Sequence, residues 1–445
     1  MLPLSAVAIG CLLYAALTRP HDLPYDAGQY WSLGAMFDAV GGAEFSLYNF
    51  PANHRGYVFP LICYAIQRVG AVVLGAKAIL AVFNAACMAL LHVVLAPALW
   101  KQMTGVAPRS SRVWLAAVIG CVVWRGYVVY PLSDLPALTM FVASLVCLHR
   151  QRVASRTHAR VSWAAAVGGL SGLVVLVRPA YLLAACAVVI LAAVVGRGIA
   201  MKARLSCTAG VLVALLVAVG PQMALNHHHA GSWSPLPRSE AVFGGGGLYL
   251  KQLNWGLTLQ RYESDVTPGR RRNDIRFIDP VGTRLLAESG VGELTSFTEY
   301  ARFALRHPLD VLAIYLRHAF NGCDLWYATP YVANPRRLHG GTMLLNLLVW
   351  TLACLHGRCR LSWPGVRRSL PHSLLLLMPV AMVIPVAVET RFFWPAHLLA
   401  ASIACYATGG AADLLLEVRR HWLLLVTFLG VWVTLSRSTY AAMPL

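Results

Sequence analysis

Acidic side chains are scarce in this chain. It has 18 Asp and Glu among 445 residues, and only Asp22, Asp26, Asp38, Glu44 and Asp134 precede residue 226. Charge of either sign is also scarce, at 12% of residues against about 25% in a soluble globular protein. A surface so poor in charge cannot mostly face water, which excludes an ordinary soluble enzyme and a disordered chain. Of eleven cysteines, only Cys323 falls clearly within the one long polar segment. A disulfide-stapled domain is therefore not expected there. Cys354 and Cys359 lack zinc-knuckle spacing and read as free thiols at a helix end.

What is abundant is apolar. Hydrophobic residues make up 58% of the chain, mean hydropathy is +0.61, and Val113–Trp124 and Leu374–Val388 carry no charge. The pattern predicts an all-α polytopic membrane protein. A spanning helix needs about 20 apolar residues, fewer where helices break or tilt. Eleven spans are expected, near 3–18, 78–100, 113–130, 136–149, 162–177, 180–196, 206–225, 341–356, 372–388, 395–410 and 421–437. Tyr57–Gly70 is read as a re-entrant or surface helix on the exported side. Loops 101–112, 150–161, 197–205, 357–371 and 411–420 are then cytoplasmic, with sixteen Lys and Arg against Asp413 and Glu417. That bias obeys the positive-inside rule. Leu2–Leu17 lacks a positive n-region and reads as a retained helix rather than a signal peptide.

Three regions follow. Residues 1–225 form an N-terminal transmembrane module with a first exported loop at 19–56. Residues 226–340 form a large exported loop with helical periodicity around Gly282–Arg306, and 341–445 supply the C-terminal membrane helices. The large loop holds 13 basic and 10 acidic residues. The net charge of +19 is thus mostly cytoplasmic loop charge and gives no reason to expect nucleic acid.

The few acids cluster by sidedness. Asp22, Asp26, Asp134 and Glu389 fall at exported ends of apolar helices, where an ionisable group is a functional candidate. Each has a structural alternative. Ser133 or Asp134 can cap the next helix, with Pro136 in its first turn. Asp26 can cap a short amphipathic helix. Glu389 and Arg391 can form an ion pair across an extended turn, where residues two apart point the same way. Pro395 would disfavour helix at Trp394 and open the following span.

The motifs come in a recognisable order. Asp26 and Tyr30 form Asp-x-x-x-Tyr in the first exported loop. Arg-Gly-Tyr-Val-Phe-Pro (Arg55–Pro60) follows, then a span with Asn84. Next come Tyr-Pro-Leu-Ser-Asp-Leu-Pro (Tyr130–Pro136), Leu-Val-Arg-Pro (Leu176–Pro179) and Glu-Thr-Arg-Phe-Phe-Trp-Pro (Glu389–Pro395). The order resembles the GT-C superfamily of integral-membrane glycosyltransferases, including bacterial relatives of dolichyl-phosphate-mannose mannosyltransferases and aminoarabinose transferase. The likeness covers 1–225 and 340–410; segment 226–340 carries no family motif. It implies a multi-pass protein of the bacterial inner membrane with its active site on the exported face. The activity implied is sugar transfer from a polyprenyl-phosphate carrier to a glycan, lipid or protein acceptor. Membrane lipids are then the other partners. The resemblance makes Asp26, and less closely Asp22, the acid of the first loop, and Asp134 the second exported acid. The common Asp-Glu pair of the family is here Asp26-Ala27.

The chemistry of transfer agrees with such a set. An acceptor hydroxyl attacking an anomeric carbon must lose a proton, which calls for a carboxylate within hydrogen-bond reach. The lipid-phosphate leaving group needs Arg, Lys or a divalent cation to meet its charge. The expected catalytic pair is therefore Asp26 and Asp134. Asp22, Tyr30, Arg55, Tyr57, Arg178, Glu389 and Arg391 are expected to bind substrate; no metal ligands are assigned.

Other features weigh less. Gly244–Gly247 lacks the Lys-Ser/Thr of a P-loop. His227–His229 cannot converge on a metal from one helix. Arg270–Arg272 reads as a solvated turn, and Trp233, Trp255 and Trp326 as interfacial aromatics or sugar platforms. Two other functions compete: a polysaccharide polymerase using a diphosphate-linked oligosaccharide, and a transporter or flippase of lipid-linked saccharide. A transporter should carry mid-membrane charges in a repeated arrangement. Here such charges are few, Arg125 being the clearest.

Overall fold

A computed structural model describes residues 2–18, 22–38, 44–51, 54–194, 200–267, 273–360, 363–407 and 411–443. Arg270–Arg272 lie outside the described residues. The chain is mostly helical. Among the described residues, six helices are long and apolar enough to cross a membrane: Ala76–Thr104, Ser110–Val128, Thr157–Val177, Met201–Ala230, Gly340–Gly357 and Trp422–Ala441. Shorter apolar helices cover Pro3–Thr18, Val58–Val72 and Pro179–Ala193. The other expected spans fall on helices that are shorter or more polar, including Asp134–Val153 and Trp394–Tyr406.

The chain divides into two compact units. The first comprises Met1–Cys121, Arg125–Arg238 and Arg367–Pro379. Its helices are α1 (Leu2–Thr18), α2 (Tyr25–Ala35), α3 (Val58–Val72), α4 (Ala76–Thr104) and α5 (Ser110–Trp124, of which Val122–Trp124 count with the second unit). After these come α6 (Asp134–Val153), α7 (Thr157–Val177), α8 (Leu182–Ala193) and α9 (Met201–Ala230). Helices α7 and α9 pack closely because α7 presents small residues. A Cβ on Gly168 would lie 2.1 Å from the Val211 carbonyl oxygen. In lipid, where apolar burial drives little association, such close backbone approach supplies much of the packing.

The second unit comprises Val122–Trp124, Ser239–Val366 and Val380–Leu445. Here a small sheet accompanies the mostly helical architecture. A three-stranded sheet of order β2-β1-β3 joins β1 (Leu259–Asp265), β2 (Asn273–Ile278) and the short β3 (Tyr331–Val332). Strands β1 and β2 pair antiparallel, and β1 and β3 parallel. The two-residue period is present in β2, where Ile275 and Phe277 turn inward. In β1 it is hidden, because the buried positions include Arg261, Glu263 and Asp265. Among the helices of this unit are α10 (Glu240–Phe243), α11 (Gly247–Thr258), α12 (Pro280–Glu288), α13 (Phe297–Arg306) and α14 (Pro308–Cys323). The periodicity around Gly282–Arg306 is thus two helices separated by a turn. Nearer the C-terminus come α15 (Gly340–Arg360), α16 (Trp363–Val383, which straddles the two units), α17 (Trp394–Tyr406), α18 (Ala411–Arg420) and α19 (Trp422–Ala441). Pro395 lies in the first turn of α17, as expected, but Trp394 is itself helical, at φ −51° and ψ −39°. The preceding 3₁₀ turn, Thr390–Phe393, leads directly into α17 and overrides the bias that proline imposes on its neighbour.

Candidate functional site

In the first unit, α2 opens under strain. Tyr25 has φ +46°, the only positive φ among the described non-glycine residues. A left-handed tyrosine costs on the order of 1–3 kcal/mol and persists only where surrounding structure enforces it. The next residue is Asp26. Pro24 occupies the N-cap position, so Asp26, in the first turn, is not the N-cap residue. Instead Arg55 Nη2 donates to Asp26 Oδ1 at 2.6 Å.

Arg55 is the hub of this region. It donates to Gln29 Oε1 from Nε at 3.3 Å and from Nη2 at 3.1 Å, and to Tyr30 Oη from Nη1 at 3.1 Å. Its guanidinium also lies over the Tyr30 ring, 4.8 Å from the centroid. Tyr30 Oη in turn lies 3.1 Å from Ser133 Oγ. Ser133 stands at the N-cap of α6 without making a cap hydrogen bond, and Asp134, the first residue of that helix, pairs with Arg178 at 2.7 Å. Ser133 therefore does not cap the helix through its side chain, and Asp134 is held by Arg178. A continuous polar chain runs Asp26–Arg55–Tyr30–Ser133 and reaches the neighbouring Asp134–Arg178 pair.

Local packing brings these segments together. Gly56 allows the turn after Arg55 to press on the end of α7, since a Cβ there would lie 2.1 Å from the Leu176 carbonyl oxygen, two residues before Arg178. Asn84 on α4 donates to the carbonyls of Val128 and Tyr130 at 3.0 and 3.1 Å, fixing the approach to Asp134. Tyr57 has a supporting place: its backbone N–H donates to Gln222 Oε1 and its hydroxyl to the Ala218 carbonyl. Asp22 is an exposed residue of the segment before α2.

Burial separates the two ion pairs. The side chains of Arg55 and Asp26 are 20% and 31% exposed, whereas those of Arg178 and Asp134 are 16% and 3% exposed. The first pair can meet a ligand; the second is mostly enclosed. Gln29 and His54 complete the accessible side, with Gln29 Nε2 at 3.3 Å from His54 Nε2. Burial, with the neighbouring Arg55 charge, pushes the His54 pKa down to about 4, so the imidazole is neutral near pH 7. Neither residue stood out in the sequence. The i, i+3 spacing of Asp26 and Gln29, which puts both on one helix face, was the available signal.

Glu389 and Arg391 belong to the second unit and form their own pair. Arg391 Nε and Nη2 reach the two Glu389 oxygens at 2.6 and 3.0 Å, so the expected ion pair forms, but from a 3₁₀ turn that holds Arg391 and not from an extended one. The pair is held beside β1, because the Tyr262 N–H donates to the Val388 carbonyl at 2.9 Å. Arg261 fastens the same segment, donating to Thr390 Oγ1 at 3.1 Å, to Glu263 Oε1 at 2.9 Å and to the Asp324 carbonyl at 2.7 Å. Burial pushes the Glu263 carboxyl up, opposed by the charges of Arg261 and Arg391. Trp326 is fully buried beneath the Arg261 guanidinium, 4.0 Å from centroid to carbon, so it is no platform for a sugar. Trp233 stacks on His227 at the end of α9, 4.2 Å between ring centroids.

Among the described residues, no three His, Cys, Asp or Glu side chains gather to ligate a metal ion. The chain matches no protein-family model and no curated protein.

Proposed function

We propose that this protein is an integral-membrane glycosyltransferase that moves a sugar from a polyprenyl-phosphate carrier to an acceptor on the exported face of the membrane. The observation that carries the reading is the hydrogen-bonded chain joining Asp26–Arg55 to the segment of Asp134–Arg178. Acids and arginines from four separate stretches meet there at the ends of apolar helices, where isolated charge is expensive and implies use. The wider expectation of eleven spans, a bacterial inner membrane and a GT-C-like arrangement belongs to the same proposal.

Roles follow from exposure. Asp26, the more open carboxylate, accepts the proton of the attacking acceptor hydroxyl as its oxygen bonds to the anomeric carbon. The bond from that carbon to the carrier phosphate breaks, and the phosphate departs with the electron pair. Arg55 holds Asp26 in orientation and supplies positive charge towards the departing phosphate. The enclosed Asp134–Arg178 pair positions Ser133 and Tyr30 behind them.

Asp26→Asn should abolish transfer in proteoliposomes supplied with polyprenyl-phosphate sugar, with insertion and expression unchanged. Undiminished transfer by that variant would remove Asp26 from the mechanism. A deletion strain should accumulate monophosphate-linked sugar; accumulation of diphosphate-linked repeat units would indicate the polymerase instead.

A further inference from the structure

We infer that helices α13 and α14, within the polar segment 226–340, seat on the lipid bilayer through a ridge of leucines and do not stand clear of it in water. Leu305, Leu309, Leu312 and Leu316 are 80%, 79%, 51% and 63% exposed. On α14 the last three recur at intervals of three and four, which places them on one face. The opposite face is spent on the unit's own core, where Val311, Ile314 and His318 are buried. A helix in water would carry charge on the outward side.

Two observations identify lipid as the occupant. The first is continuity with a membrane-crossing candidate. The C-terminal end of α14 is tied to α19: Thr439 Oγ1 donates to Asn321 Oδ1 at 2.8 Å, and Trp432 Nε1 to Asp324 Oδ1 at 3.0 Å. The Phe320 and Trp432 rings lie 5.1 Å apart. Trp432 is near the middle of the helix Trp422–Ala441, roughly 13 Å from its C-terminal end at 1.5 Å per residue. The end of α14 therefore packs along the C-terminal half of this membrane-crossing candidate, between Trp432 and Thr439, and the leucines lead away from it along the same helix. The second observation is charge. Arg302 and Arg306 are exposed beside Leu305 at the far end of the ridge, where guanidiniums suit anionic headgroups. The arrangement is that of an interfacial amphipathic helix, apolar face inward and basic residues at headgroup level.

The inference is independent of sugar transfer and is tested without it. Leu309, Leu312 or Leu316 is replaced by the photoreactive p-benzoylphenylalanine in the full-length chain. Each variant is reconstituted in phosphatidylethanolamine–phosphatidylglycerol vesicles, irradiated and weighed intact by mass spectrometry. Leu423 on α19 serves as a lipid-facing reference and Arg284, exposed on α12, as a water-facing one. The expected result is a mass gain of one phospholipid at the ridge positions and at Leu423, with none at Arg284. Absence of lipid adducts at the ridge while Leu423 is labelled overturns the inference. So do ridge adducts that join two copies of the chain.

Discussion

The Asp134–Arg178 pair offers the sharpest energetic test. Its carboxylate is 3% and its guanidinium 16% exposed, and the two approach to 2.7 Å. Removing one partner of such a pair leaves the other charge enclosed and uncompensated, a loss of about 3–5 kcal/mol. The guanidinium keeps some solvent, so the lower end applies to Asp134→Ala. At 1.4 kcal/mol per factor of ten, about 3 kcal/mol shifts the unfolding equilibrium roughly a hundredfold. Arg178→Ala strands the more enclosed carboxylate and should cost at least as much. The double variant removes both charges and should be less destabilised than the sum of the singles, by about 1–3 kcal/mol. The assay is reversible unfolding in mixed micelles across the four proteins of the cycle. The exposed pair Arg284–Glu288, at 62% and 65% exposure, serves as the additive control. If the effects of Asp134→Ala and Arg178→Ala simply add, the two residues do not act as a buried pair and the positioning role falls.

Gly56→Ala should destabilise the protein by about 1–3 kcal/mol, because the new Cβ meets backbone and the turn must move; unfolding in micelles measures this, and wild-type stability would contradict the packing of Arg55 against α7. His54 adds a pH dependence. Its folded pKa of about 4 lies below the ordinary value of 6.5, so between these pH values the unfolded chain binds a proton that the folded one refuses. That share of stability is present above pH 6.5 and is lost as pH falls towards 4. His54→Gln should flatten this part of the curve when unfolding is followed from pH 7 to 4.5. Arg261→Lys should cost about 2–4 kcal/mol, since an ammonium cannot reproduce a fork that meets Glu263, Asp324 and Thr390 while stacked on Trp326. A stability unchanged by that exchange would show that the fork is not needed.

Legibility tracked the range of the interaction. The apolar runs 78–100, 162–177 and 206–225 are helices because unbroken apolar stretches in lipid satisfy their backbone internally. The Glu389–Arg391 pair is readable as opposite charges two residues apart, although Arg391 meets Glu389 from the 3₁₀ turn Thr390–Phe393 and not across an extended turn. Strand β1 was not. Its inward positions hold Arg261 and Glu263, which satisfy each other in place of the alternating apolar residues that mark a strand. Local pattern makes Trp326 an interfacial aromatic or a sugar platform, but it is buried, because its indole N–H finds Asp324 only in the folded loop. The outward leucines of α14 were in plain view, but that they face away from the core required knowing which side Val311 and Ile314 had taken.

By itself the sequence determined a membrane-rich helical chain, the sign bias of its loops and the handful of acids worth watching. Composition and local spacing carry that information, because bilayer insertion and helix formation are decided over windows of one or two dozen residues. Only the tertiary structure decided which arginine each acid meets: Asp26 takes Arg55, and Asp134 takes Arg178. It also decided that Tyr30 stands between Arg55 and Ser133. Those partners come from distant helices, and no local pattern encodes which chain segment a buried charge will find. The choice rests on close backbone approach at Gly56 and on the Asn84 bonds that set the turn before Asp134.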